Sequence, residues 1–383
     1  MSPAGQDFLR RMPEASSDLR RPLGLWRRIH VDPPLLLALL LLTGYGLVVL
    51  YSASGQNLYY LRRQMVFFVI AYCMMFTVAQ VRMHVLERWA PWLYLGGVGL
   101  LVLVLFFGTG AKGAQRWLSL GGFRFQPSEI LKLAVPIAVA TYLAQRILPP
   151  RFKHVIWTLM LILIPTALIM RQPDLGTSLL IAASGLIVLF FAGLPWGYMF
   201  GALGTLVVGS WPMWQFVLRD YQKQRILTLL NPEADKLGAG WNIIQSKTAI
   251  GSGGLDGKGW LNGTQSQLDF LPEGHTDFII AVLAEEFGLV GVLVLMALYL
   301  WVIVRGLTIA FNAQDTFSRL LAGSVTITFF VYVFVNMGMV AGMLPVVGVP
   351  LPLVSHGGTS IVTMMMGFGL LMAIGTERRR GTQ

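Results

Sequence analysis

The 383 residues are 55% hydrophobic and 12% charged, well below the roughly 25% charged residues of a soluble domain. That balance excludes an ordinary soluble enzyme, a disordered chain and a secreted disulfide scaffold. The single cysteine, Cys73, allows no intrachain bridge and is expected to be a buried thiol. The net charge of +11 would suit nucleic acid, but the basic residues gather just outside apolar runs. Arg20, Arg21, Arg27 and Arg28 precede the first run, and Arg378, Arg379 and Arg380 follow the last. This is the pattern of cytoplasmic flanks beside anionic lipid, so no nucleic-acid partner is expected. An all-α polytopic membrane protein is.

Charge-free stretches long enough to cross a bilayer set the spans. The first is Pro34–Ser52, the second lies between Arg63 and Arg82, and the third between Arg88 and Lys112. The fourth, Pro127–Leu143, carries Glu129 and Lys132 in its first turns, and the fifth runs from Val155 to Met170. Leu175 to Leu218 is charge-free and too long for one helix; Gly193-Leu194-Pro195 divides it into two. The eighth span is Phe278–Val304. The stretch from Leu320 to Thr376 holds the last two, parted by a Pro/Gly-rich segment at Leu344–Gly358. The total is ten. The first span follows a leader of over thirty residues and is full length, so it is expected to stay as an anchor.

With both termini cytoplasmic, sixteen Lys and Arg fall inside and six in the short outer loops, which decides the orientation. The expected organisation is a basic cytoplasmic tail 1–33, a ten-helix membrane domain 34–376 and a basic cytoplasmic tail 377–383. One large outer loop, 219–277, joins spans seven and eight and holds 13 of the 47 charged residues, which points the chemistry to that face.

Nucleotide signatures fail. In Gly251-Ser252-Gly253-Gly254-Leu255-Asp256-Gly257-Lys258-Gly259, Ser252 stands where a P-loop needs its first Gly, and Gly259 where it needs Ser or Thr. A tight turn is the better reading, and no nucleotide is expected. No His/Cys/Glu spacing suggests zinc.

The stretch Leu271-Pro272-Glu273-Gly274-His275-Thr276-Asp277-Phe278, with Glu285 and Glu286 beyond it, sets acidic groups at a membrane boundary, where desolvation is costly. Thr276 or Asp277 can cap the eighth helix, but capping does not account for several carboxylates and His275 together. Glu129 and Lys132, three apart, suit an intramembrane ion pair or a headgroup contact. Arg116 suits a pyrophosphate and Trp117 a sugar face, though Trp117 is equally an interfacial anchor. In the last outer loop, Ser355 with His356-Gly357-Gly358-Thr359 suits either an anion at a helix N-terminus or a plain turn and cap.

These motifs resemble the SEDS family (shape, elongation, division and sporulation). The matching pieces are Gly113-Ala114-Gln115-Arg116-Trp117, Phe125-Gln126-Pro127-Ser128-Glu129-Ile130-Leu131-Lys132 and Gln172-Pro173-Asp174-Leu175-Gly176-Thr177. Gly240-Trp241-Asn242, Gln245-Ser246, Gly251-Ser252-Gly253-Gly254, Gly263-Thr264-Gln265-Ser266-Gln267 and Leu351-Pro352-Leu353-Val354-Ser355 continue the set. Gly-Thr-Gln-Ser-Gln before Leu-Pro-Glu resembles the elongation branch. His356 departs from the Tyr of many relatives, and Gly274 lies in a stretch where they vary.

The resemblance implies a peptidoglycan glycosyltransferase that polymerises lipid II into β-1,4 strands during elongation and rod-shape maintenance. It implies the bacterial inner membrane, with the active site facing the periplasm. It matches Asp277 to the catalytic aspartate, Trp117 to a tryptophan important for activity, and Glu129 with Lys132 to the paired charges. Arg116, Glu273, His275 and Ser355 join these as substrate-binding candidates. Asp277 is expected to serve as general base, its pKa raised by membrane-edge burial and neighbouring carboxylates. Arg116, Lys132 or a divalent cation (Mg²⁺ or Mn²⁺) is expected to steady the departing pyrophosphate. The implied partners are a class B penicillin-binding transpeptidase, shape-determining membrane proteins, lipid II and undecaprenyl-linked glycan. The competing readings are a flippase or transporter of a lipid-linked wall precursor, and a non-enzymatic scaffold.

Overall fold

The computed structural model describes residues 29–377, apart from 112–113, 121–122, 236–237, 269 and 272. The basic clusters Arg20–Arg28 and Arg378–Arg380, and Lys112, Gly113 and Pro272 of the motifs, lie outside the described residues.

The long helices fall on the expected spans. In chain order they are α1 (Pro33–Ala53), α2 (Leu58–Ala79), α3 (Met83–Phe107), α4 (Pro127–Ala144), α5 (Phe152–Arg171), α6 (Leu175–Phe191) and α7 (Trp196–Pro212). After the outer segment come α11 (Ile279–Asn312), α12 (Thr316–Val340) and α13 (Thr359–Thr376). Eight are long and apolar enough to cross a membrane; α6 and α7, at 17 residues each, are shorter. The outer segment carries α8 (Asp220–Leu230), α9 (Ala239–Gly253) and a single turn, α10 (Thr264–Gln267).

Polar residues at the membrane edge start the helices. Asp32 accepts the Leu35 N–H at 3.1 Å to cap α1, and its carboxylate also takes the Arg305 guanidinium at 3.0 and 2.6 Å. Asp174 caps α6 through Thr177 N–H, and Asp315 caps α12 through Ser318 N–H. The interior of the bundle is built on α4, 72% of whose span is buried, against 22% for α2 on the periphery. Val66, Val69, Leu163, Leu300 and Phe334 are exposed outward. An apolar exterior of this kind requires hydrocarbon around it. Cys73, expected to be buried, faces outward from α2.

Two features depart from expectation. The segment 109–125 is a three-stranded antiparallel sheet of β1 (Thr109–Ala111), β2 (Ala114–Leu120) and β3 (Phe123–Phe125), in the order β1-β2-β3. Leu120 of β2 pairs with Phe123 of β3. The eighth span continues past Val304 to Asn312 and is broken near its start at Gly288, with φ 61° and ψ −160°. There Leu289 and Val290 donate their N–H groups to Gly254 O and Leu255 O, while Lys258 and Gly259 donate theirs to Glu285 O and Glu286 O.

Candidate active site

Asp277 stands at the end of the turn that leads into α11. The turn closes on its own polar groups. Glu273 O accepts from the N–H groups of Thr276 and Phe278, each at 3.2 Å, and the Thr276 hydroxyl donates to the Glu273 carboxylate at 2.7 Å. From α12, the amide nitrogen of buried Asn336 donates to Asp277 O at 2.8 Å and to Val349 O at 2.7 Å. One side chain thereby fixes both the turn and the last outer segment. Gly348, at φ +74°, lies against the Asp277 carboxylate; a Cβ there would stand 3.6 Å from Oδ2.

No donor reaches the Asp277 carboxylate among the described residues, so no hydrogen bond offsets its partial removal from water. Burial pushes it up from 3.8 to about 6, with neighbouring Glu273 acting in the same sense and Arg225 opposing. This is the direction expected from the sequence.

Ser355 sits differently from the expectation. It is buried; its hydroxyl donates to Thr276 O at 2.5 Å and accepts from Leu351 N–H at 2.8 Å. With its proton on Thr276 O and a lone pair on Leu351 N–H, Ser355 clamps the last loop onto the turn that carries Asp277. His356 N–H adds a second clamp, donating to His275 O at 3.0 Å. The His275 ring packs against Tyr60 (centroids 5.0 Å apart), which also meets the His356 ring edge-on at 5.4 Å. Burial, with Arg63 and His275 nearby, lowers the His356 pKa and keeps its ring neutral at pH 7.

Arg116 on β2 is heavily engaged. Its Nε donates to Gln172 O at 3.3 Å, a terminal nitrogen donates to Pro173 O, and the other lies 3.8 Å from the Asp174 carboxylate. It docks the small sheet on the start of α6. Trp117, next along β2, pairs through its backbone with Thr109 and is half-buried. Glu129 and Lys132 form the ion pair their spacing suggested, at 2.7 Å. Lys132 also reaches Ser360 on α13 at 3.5 Å and lies over the Tyr332 ring of α12. The second Glu129 oxygen is buried without a hydrogen-bond partner. An apolar groove of about 490 Å³ between α2, α3, α4 and α13 ends at Glu129 and Thr359.

Glu285 and Glu286 serve the scaffold. Glu285, fully buried, accepts from Lys258 Nζ (2.7 Å), Thr264 N–H and Oγ–H (2.9 Å each) and Gln265 N–H (3.1 Å). Glu286 accepts the Ser52 hydroxyl of α1. The glycine-rich stretch ends α9 at Gly253 and from there is the tight turn the sequence suggested: Gly254, Gly257 and Gly259 all have positive φ. A Cβ on Gly257 would lie 2.1 Å from Glu286 O.

Three contributors escaped the sequence reading. Arg225 lies on α8 with Asp277, Asp174 and Arg116 in electrostatic range; Asn336 and Tyr60 are the others. None carries a local pattern, because each meets the site through tertiary contact. Only the charge concentration in 219–277 hinted at Arg225.

The cell cycle protein family of FtsW, RodA and SpoVE matches residues 33–380. Over 355 residues the chain is 55% identical to the peptidoglycan glycosyltransferase MrdB of Escherichia coli K12, covering 92% of this chain and 96% of that one. It is 37% identical to the probable peptidoglycan glycosyltransferase FtsW of Trichlorobacter lovleyi, covering 93% and 95%. Among solved structures, a chain described under the structural coordination of polymerization and crosslinking by a peptidoglycan synthase complex matches with TM-score 0.80 and 31% identity, covering 91% and 98%. The rod shape determining protein RodA of Thermus thermophilus matches with TM-score 0.69 and 29% identity, over the same shares. This multi-pass membrane protein belongs to the FtsW/RodA/SpoVE family, the SEDS family that its motifs resemble.

Proposed function

We propose that the chain is a peptidoglycan glycosyltransferase of the inner membrane. It polymerises lipid II on the periplasmic side and works with a class B penicillin-binding transpeptidase and shape-determining membrane proteins. The single observation that carries this reading is the Asp277 carboxyl. It is raised to about 6, has no donor among the described residues, and lies at the membrane's edge within range of Arg225 and Glu273. A base of that strength is largely ionised at neutral pH and still holds a proton well enough to accept one in the transition state.

In the reaction, the acceptor 4-hydroxyl oxygen attacks C1 of the lipid-linked donor. The bond from C1 to the pyrophosphate oxygen breaks with its electron pair going to that oxygen, and the hydroxyl proton passes to Asp277. Ser355 and Asn336 hold the Asp277 turn in place from two sides. The apolar groove between α2, α3, α4 and α13 suits a polyprenyl tail, with the Glu129–Lys132 pair at its end. Trp117 and His275 offer rings to the sugars. Among the described residues no three His, Cys, Asp or Glu stand together. The described residues thus form no ready-made Mg²⁺ or Mn²⁺ cluster; a divalent cation would arrive with the substrate pyrophosphate and would neutralise charge on the leaving group.

The test is polymerisation of labelled lipid II by the purified protein with its transpeptidase partner. Glycan ladders are expected from the wild type. Absence of ladders, with lipid II crossing sealed vesicles in its presence, would replace this reading with a flippase. Normal cell shape supported by an accumulating Asp277→Ala protein would replace it with a scaffold.

A further inference from the structure

Two cations named from the sequence for the pyrophosphate, Arg116 and Lys132, are already occupied. Arg116 spends its guanidinium on Gln172 O, Pro173 O and Asp174. Lys132 is buried against Glu129 at 2.7 Å and Ser360 at 3.5 Å. Drawing either onto a substrate would break contacts that hold β2 on α6, or α4 on α13, and would leave a buried carboxylate unpaired.

Arg225 differs on each count. It is half-buried on α8, its guanidinium carbon lies 5.9 Å from the Tyr221 ring centre, and among the described residues no carboxylate or carbonyl accepts from it. Its charged neighbours are Arg116, Asp174 and Asp277. Of these, Asp174 is taken up by Arg116, Gln126 and the α6 cap, and Asp277 is the group that receives a proton. A planar five-donor fork with no acceptor of its own, half withdrawn from water, suits a bidentate phosphate. Burial lowers its pKa, and Arg116 acts in the same sense; an arriving dianion relieves both.

We infer that Arg225 is the residue that binds the pyrophosphate of the lipid-linked donor and holds it as it leaves. The inference rests on the proposed glycosyltransferase reading. As the C1–O bond breaks, negative charge grows on the pyrophosphate oxygen facing Arg225, while Asp277 becomes neutral on taking the proton. The guanidinium thus loses its anionic neighbour and gains a stronger one in the same step. Arg116 contributes field from behind without leaving its carbonyls.

The test separates this from failure of the glycosyltransferase reading by measuring binding. Undecaprenyl pyrophosphate is titrated onto the purified full chain in nanodiscs, in an Asp277→Asn background that cannot turn over. Arg225→Gln is expected to weaken binding by at least tenfold, Arg225→Lys by severalfold, and Lys223→Gln on the same helix not at all. With lipid II as substrate, the turnover of Arg225→Gln is expected to fall further than its apparent affinity, because the contact strengthens in the transition state. Binding by Arg225→Gln within twofold of its parent would overturn the inference, as would an equal loss in Lys223→Gln. If Arg225→Gln fails to accumulate, Arg225→Lys decides: severalfold weaker binding supports the clamp, and unchanged binding overturns it. A wild type that binds undecaprenyl pyrophosphate through Arg225 yet forms no glycan would sink the enzymatic reading alone.

Discussion

The position of Asp277 makes the pH profile of this protein a direct readout of its electrostatics. An unperturbed aspartate at 3.8 would be ionised throughout the range from pH 5 to 8, and activity would be flat there. At about 6, only about one-tenth of the carboxyl is ionised at pH 5 and about nine-tenths at pH 7, so kcat/KM should fall about tenfold between the plateau and pH 5. The sign is fixed by the role: a base is lost when protonated, so activity falls on the acid side. Glu273 raises this pKa and Arg225 lowers it. Glu273→Gln removes a negative neighbour and should therefore move the inflection to lower pH. The assay is initial-rate polymerisation of lipid II from pH 5 to 8 at constant ionic strength and constant divalent cation, with kcat/KM reporting the free enzyme. A flat profile, or a Glu273→Gln inflection at higher pH, would refute the burial argument.

Two further perturbations probe the scaffold. Glu285→Ala removes the acceptor for Lys258, Thr264 and Gln265; about 1–3 kcal/mol is the cost of unpairing such groups, and amide exchange across 254–267 should speed up selectively, whereas unchanged protection there would deny that Glu285 fastens the segment. Lys132→Met leaves the Glu129 carboxylate uncompensated inside the bundle, so accumulation and melting temperature should drop, and adding Glu129→Gln should restore much of both; no recovery in the double variant would show that Lys132 acts through something other than its partner.

The helices were legible because hydrocarbon leaves so few options: charge-free runs bounded by Arg, Asp and Pro can only be spans, and Gly193-Leu194-Pro195 could only be a turn. The small sheet was equally written in the sequence. Gln115 to Leu120 and Phe123 to Phe125 flank Gly121-Gly122, a two-residue hairpin signal, but the surrounding apolar composition made a loop the easier reading. Glu285 and Glu286 were not resolvable from helical spacing, because Glu285 faces a segment 20 to 27 residues upstream and Glu286 faces Ser52 of α1, beside a break at Gly288. Ser355 left two readings open for the same reason: a hydroxyl beside glycines reads alike whether it points to a ligand or to the Thr276 carbonyl. Asp277 stood out locally through its neighbours Glu273 and His275, whereas Arg225 acquires meaning only when the outer segment folds back over the site.

The central claim is that this chain forms glycosidic bonds with Asp277 as the base. The most direct measurement is lipid II polymerisation by the purified protein with its transpeptidase partner, comparing wild type with Asp277→Asn on the same gel. Because Asn keeps the shape and the Asn336 contact to the backbone carbonyl but cannot take a proton, ladders from the wild type and at least a hundredfold less product from the variant are predicted. Equal ladders from both would contradict the assignment of the base.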